Sequence, residues 1–301
     1  MPTLTLLRRF VLLLIVSLCA AAAWAAGAPP RVLIVVAHPD DESCFAATTY
    51  RIAQELGGTV DQLVITDGEG GFHYSLLASK YYGVNLTDEA VGRKYLPEIR
   101  KRELMRAGRV LGVRSHFFLD QPDPGYTEDI KASFAAWDVK VVEQQIHDVL
   151  SRGRYDFVFT LLPTADTHGH HKAATVLALQ GVAALPQDAR PVVLGCTDTT
   201  SAQPQPAPFS GLDGYPETRP LPQAPLFRFD REVKFGFKDA LDYQIVVNWE
   251  IAEHKSQGFF ETGFSAYRYE DFFLFEPDGP SGLAKTQTLF DLLTPKPGEA
   301  H

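Results

Sequence analysis

Val32-Leu33-Ile34-Val35-Val36-Ala37-His38-Pro39-Asp40-Asp41-Glu42-Ser43 is the stretch that decides the fold. Five consecutive apolar, mostly β-branched residues read as a strand buried on both faces, the condition of a strand inside a parallel sheet. The run then breaks at once into an imidazole, a proline and three carboxylates. Open α/β sheets hold their ligands just beyond the carboxyl ends of the strands. A His and two Asp at such a point need a partner, because charged side chains are rarely buried alone. A metal cation supplies one.

Outward from this stretch, strand-like and helix-like runs alternate through two thirds of the chain. A helix is expected from about Cys44 to Leu56, stopped by Gly57-Gly58, then a strand over Val60 to Thr66 that ends in Asp67-Gly68-Glu69-Gly70-Gly71. Glu98 to Leu111 has helical spacing with Gly112 as its stop, followed by a short strand over His116 to Leu119. Val139 to Leu150 reads as an amphipathic helix, Tyr155 to Leu162 as a buried strand, Lys172 to Ala184 as a helix and Pro191 to Cys196 as a further strand. The alternation predicts an α/β fold: a doubly wound, mostly parallel, Rossmann-like sheet with helices on both faces. Past Asp198 the pattern lapses into a proline-rich irregular excursion, around residues 198–230, before helical spacing resumes over Leu241 to Gln257. The aromatic tail, from Phe259 and Phe260 through Phe264, Tyr267, Tyr269, Phe272 and Phe273 to Phe275, reads as core or cleft wall.

The chain has 301 residues, 45% of them hydrophobic and 22% charged, which is an ordinary globular composition. Arg8-Arg9, the apolar run Phe10 to Cys19 and the Ala-rich end at Trp24-Ala25 have the layout of a secretory signal peptide cut after Ala25. The apolar run is short for a bilayer, which takes roughly 20 residues to span. The expectation is therefore an exported protein, periplasmic or extracellular, with no stable membrane span after cleavage and one domain over residues 26–301. The formal charge of −9 argues against nucleic-acid binding, which needs a basic face. Cys44 and Cys196 both follow expected strands, and whether or not they pair, two thiols leave a domain of this size independent of a disulfide.

A second polar cluster, Asp166-Thr167-His168-Gly169-His170-His171-Lys172, follows the strand that ends at Leu162. Sheet topology brings it to the same edge as His38 to Asp41. Hydrolytic zinc sites use three His or carboxylate ligands and keep one position open, and these two clusters hold such a set.

These residues carry a resemblance. Ala37-His38-Pro39-Asp40-Asp41-Glu42 resembles the signature of the LmbE-like, or PIG-L, superfamily of zinc-dependent sugar N-deacetylases. His168-Gly169-His170-His171 is similar to that family's second metal motif, written His-Pro-Asp-His. Arg100-Lys101-Arg102-Glu103 and His254-Lys255-Ser256-Gln257 resemble its Arg-x-x-Glu helix and its late His-x-Ser-Gln. The resemblance implies a zinc ion held by His38, Asp41 and His171, with Asp40 as general base. It implies that His168 stabilises the oxyanion or protonates the departing amine. The substrate it implies is a small molecule or glycan bearing an N-acetylated amino sugar. One position departs: His170 stands where the family has an Asp that orients the preceding His, so Asp166 takes that role, or His170 does, or His170 sits apart from the chemistry. Asp67, Arg100, His170 and His254 are the candidate substrate-contacting residues.

Two other readings meet the residues less well. A nicotinamide or flavin enzyme needs Gly-x-Gly-x-x-Gly after the first strand, where His-Pro-Asp-Asp stands instead. A zinc peptidase would show His-Glu-x-x-His. A carbohydrate-binding protein without catalysis, on the same scaffold, is the alternative that the His170 departure motivates.

Overall fold

The computed structural model describes residues 29–205, 208–257 and 266–294; the expected leader and Phe259, Phe260 and Phe264 lie outside them. A seven-stranded sheet forms the centre. Its parallel part consists of β1 (Arg31–Val36), β2 (Thr59–Thr66), β3 (Ser115–Gln121), β4 (Phe157–Leu161) and β5 (Val192–Thr200). β9 (Tyr267–Leu274) runs antiparallel to β5 and β6 (Phe227–Asp230) is antiparallel to β9, which gives the order β3-β2-β1-β4-β5-β9-β6. The short strands β7 (Lys234–Phe235) and β8 (Leu241–Asp242) pair with each other apart from this sheet.

The opening stretch behaves as its composition requires. Val32, Ile34 and Val36 join one apolar layer, with Leu104, Val246 and Leu289. Leu33 and Val35 join the layer on the opposite face, with Val142, Ile146, Ala173 and Leu177. β1 is thus covered twice, as a central parallel strand must be. It pairs with β2 on one side and β4 on the other. The strand order therefore reverses between β1 and β4, and a crevice opens at their carboxyl ends.

The helices differ from expectation in their bounds. The first crossover is a 3₁₀ turn (Asp41–Phe45), the short helix α1 (Ala46–Tyr50) and a π turn (Arg51–Glu55). After α2 (Leu76–Tyr82), α3 spans Glu89–Leu111, beginning well before Glu98. Pro97 lies inside this helix, and Asp88 caps the true start by accepting from Val91 N–H at 3.0 Å. α4 (Ile130–Ala136) and α5 (Val139–Gly153) lead into β4, and α6 (Gly169–Ala183) follows it. The expected helix over 241–257 shortens to α7 (Gln244–Ile251). The irregular excursion is narrower than 198–230, since β5 continues to Thr200 and β6 rejoins the sheet at Phe227. A last helix, α8 (Gly279–Leu293), has no counterpart in the sequence reading. The tail forms β9, with Phe272 and Phe275 fully buried.

Candidate active site

The 3₁₀ turn after β1 and the first turn of α6 after β4 face each other across the crevice. His38 Nδ1 lies 3.1 Å from His171 Nε2 and 3.4 Å from Asp41 Oδ1, and the last two atoms are 3.1 Å apart. Two imidazole nitrogens and one carboxylate oxygen so spaced match the edges of a tetrahedron around one ion with bonds of about 2.0–2.1 Å. The three residues together can hold a metal ion. The remaining donors make the arrangement stiff. Asp41 Oδ2 accepts from the N–H groups of Ala37 (2.9 Å) and His38 (2.8 Å), so Oδ1 is the atom left for a cation. With Nε2 of His171 given to the ion, its Nδ1–H faces Thr167 Oγ1 at 3.1 Å.

The charges at this point compensate one another. Burial opposes charge on His38, but the Asp41, Asp123 and Asp40 carboxylates outweigh it and raise the imidazole above its ordinary value. Burial likewise works against the Asp41 anion, yet His171 and His38 hold its carboxyl well below the usual range.

Asp40 lies outside the triad, on the cleft wall, with its Oδ2 2.9 Å from Arg100 Nη2. Arg100 comes from α3 and is almost wholly buried. It also donates to Gly68 O (2.9 Å) and Pro39 O (3.2 Å). Gly68 makes this seat possible: its φ is +71°, and a Cβ there would meet the guanidinium at 2.8 Å. Arg100 thus lines the cleft as a clamp on Asp40 rather than as an open arm for an anionic substrate.

His168 is the residue before α6 and caps it, its Nδ1 accepting the N–H of His170 at 3.0 Å. An imidazole accepting through Nδ1 is neutral and carries its proton on Nε2. Burial first, and then the neighbouring His38, His170 and His171, push His168 down to about 2. Neither Asp166, which is exposed, nor His170 supplies a carboxylate that would hold His168 protonated.

The other expected substrate contacts fall elsewhere. Asp67 Oδ1 accepts from Glu69 N–H at 2.9 Å and shapes its own turn; it is not on the cleft wall. His254 is fully buried, its Nε2 2.8 Å from Glu42 Oε1 and 3.1 Å from Glu250 Oε1. Glu42 also accepts from Gln62 Nε2 at 3.1 Å. The late His-x-Ser-Gln segment is therefore an anchor, with Ser256 N–H held by Glu103 at 2.9 Å, and it is Gln257 that reaches the cleft. His170 is fully buried behind His38 and lines no part of the cleft.

Residues without a sequence expectation complete the cavity, whose volume is about 400 Å³. Tyr74, Asp123, Tyr126, Leu161, Thr197 and Asp198 are on its wall, as are Cys44 and Cys196, both free thiols. Asp123 and Tyr126 belong to the loop after β3. That loop crosses the start of α6 so closely that a Cβ on Gly169 would lie 2.7 Å from Asp129 O. Lys172 Nζ ties the same junction by donating to Glu128 O (2.9 Å) and Ala165 O (2.6 Å). Gln121-Pro122-Asp123-Pro124-Gly125, an acidic turn at a strand end, was the available signal.

The fold has solved counterparts. The N,N'-diacetylchitobiose deacetylase of Pyrococcus horikoshii is 18% identical, the match covering 82% of this chain and 84% of that one with a TM-score of 0.51. A triple mutant of a deacetylase of the teicoplanin biosynthetic pathway is 18% identical over 81% of this chain and 97% of that one, with a TM-score of 0.52. A deacetylase–teicoplanin complex of that pathway is 17% identical with the same coverage and a TM-score of 0.51. At these identities the likeness is one of fold. No curated protein matches the chain in sequence. Residues 33–182, which carry β1, both polar clusters and the helix holding Arg100, match the PIG-L family model, described as GlcNAc-PI de-N-acetylase, and the chain belongs to that family.

Proposed function

We propose that this chain is a zinc-dependent hydrolase that removes an N-acetyl or similar acyl group from an amino sugar or glycoconjugate. One observation carries the reading: three ligating atoms lie within 3.1–3.4 Å of one another at the β1/β4 crevice, with an unligated, clamped carboxylate beside them. His38, Asp41 and His171 would hold the zinc ion. That ion supplies Lewis acidity, polarising an acyl oxygen and making water more acidic.

The rest of the work falls to side chains. Asp40, fixed by Arg100, takes the proton of the attacking water and has it available for the departing amine. His168, neutral, points its Nε2–H at the oxygen on which charge develops and lowers the barrier as a fixed donor. Tyr74, Tyr126, Asp123, Asp198 and Gln257 give the cleft the mixture of apolar faces and convergent polar groups that suits a hydroxylated ring. The non-catalytic alternative rested on His170, which does not line the cleft.

Export through the leader at residues 1–25 is part of this proposal, and it points to a cell-envelope glycan, glycolipid or external sugar conjugate as substrate. Among the described residues no helix is long and apolar enough to cross a membrane. The test is hydrolysis of a panel of N-acetylglucosamine conjugates by the purified chain. Acetate and free amine should appear in equal amounts, stop on chelation and resume with added zinc. Binding of these sugars without any release of acetate would refute the reading.

A further inference from the structure

We propose that His170, backed by Asp123, is a positioning residue that holds His38 in the tautomer and ring orientation able to bind the ion; this rests on the metal-site reading above. His38 has neighbours on both nitrogens. Its Nδ1 faces His171 and Asp41, while its Nε2 lies 3.0 Å from His170 Nδ1. A neutral imidazole has a single lone pair. When Nδ1 gives that pair to a cation, the proton must reside on Nε2, and the atom opposite must accept it. His170 Nδ1 is that atom.

Metal-binding histidines ordinarily donate their second N–H to a carboxylate, a carbonyl or water. Here a second imidazole takes that place, at the very position where the family motif has Asp. Asp123 stands close behind, with Oδ1 3.6 Å from His170 Nδ1 and Oδ2 4.0 Å from His38 Nε2. These are charge contacts and not hydrogen bonds. Gly125 N–H, 3.0 Å away, fixes Asp123 Oδ1.

The bland account of His170 is a packed ring, tilted on Trp137 with centroids 5.3 Å apart. That account leaves a cost unexplained. With Nδ1 accepting, the proton of His170 lies on Nε2, which is buried and has no hydrogen-bond partner among the described residues. An unpaired buried donor costs about 1–3 kcal/mol, which an apolar residue at this position would avoid. A second cation between His38, His168 and His170 fails on protons: His38 would have to surrender both ring hydrogens, and His168 Nδ1 already accepts a backbone N–H.

Packing and positioning predict opposite orders for substitutions at this site, and zinc affinity separates them. The measurement is equilibrium competition for zinc between the metal-free protein and a chromophoric chelator, alongside the Tm of each metal-free form. His170→Asn and His170→Asp place an oxygen acceptor near the Nδ1 position and should bind zinc close to wild type. His170→Leu should lose about 10–100-fold in affinity, with His170→Ala giving the same loss should the Leu form not fold. Tm of the metal-free forms should not follow that order, because a buried Asp is the more disruptive change. Affinity retained by Leu or Ala and lost by Asp and Asn would overturn the proposal. Should wild type bind zinc and lose it in His171→Ala, while every His170 variant binds equally, only the positioning role falls. Should wild type bind no zinc, the metal-site reading falls with it.

Discussion

Asp40→Asn separates chemistry from metal binding more sharply than any other single change. The carboxylate is on the cleft wall, outside the triangle of His38, Asp41 and His171, so the ion-binding set is untouched. Asn keeps the shape and can still accept from Arg100, which retains the carbonyls of Gly68 and Pro39. What is lost in stability is the charged share of one hydrogen bond, about 1 kcal/mol given about 1.5–3 for charged and 0.5–1.5 for neutral bonds. For a chain of this size that lowers Tm by about 2–4 °C. What is lost in rate is the proton acceptor, worth about 10²–10⁴-fold, or roughly 3–5.5 kcal/mol of barrier. Activity should therefore collapse in a protein that remains folded and loaded. The assay pairs acetate release with elemental analysis of the same sample. A zinc-loaded Asp40→Asn chain that turns over at the wild-type rate refutes the assignment of the base. A folded variant that has lost its ion refutes the placement of Asp40 outside the metal set.

Three further outcomes follow from the same geometry. His168→Ala should keep zinc and lose about 10²–10³-fold in kcat, the usual weight of one fixed oxyanion donor; a loss confined to KM would contradict the role. Gly169→Ala forces a Cβ to within 2.7 Å of Asp129 O and Ser133 Oγ. It should cost about 1–3 kcal/mol by overpacking, read as a drop in Tm, and an unchanged Tm would mean the loop does not cross there. Asp198 should make stability depend on pH: burial, against the pull of Arg231, raises its carboxyl to about 7, whereas an unfolded Asp titrates near about 3.9. The folded chain keeps this proton while the unfolded chain has shed it. The contribution is thus fully present below about pH 4 and is lost as pH rises through about 7. Asp198→Asn should remove that slope from a plot of Tm against pH, and parallel curves for the two proteins would count against it.

The fold was legible because β1 is apolar on both faces and ends abruptly in ligating groups. That places His38 and Asp41 at a strand end, and the β4 segment places His168 and His171 at another. The topology then makes β1 and β4 neighbours at the point where strand order reverses. Depth was not legible. His170 and His171 are consecutive on the first turn of α6, and about 100° of rotation between them sends one behind His38 and the other into the cleft. Spacing in sequence does not say which. Asp123 belongs to the loop after β3, the edge strand, and reaches the centre only because that loop crosses Gly169. His254 looked like a pocket residue, and it is instead fully buried with two carboxylates, Glu42 and Glu250. Two of the misjudged helices have local causes: Pro97 hides the start of α3, and Gly279-Pro280-Ser281-Gly282 disguises the first turn of α8 as loop.

The proposed reaction requires the turn after β1 and the first turn of α6 to share one divalent ion. Elemental analysis of purified wild type, His38→Ala and His171→Ala, after removal of loosely bound metal, tests it most directly. The expected result is one zinc per wild-type chain and none in either variant, with all three still folded by circular dichroism. Equal zinc in all three, or a metal-free wild type with full deacetylase activity, would contradict it.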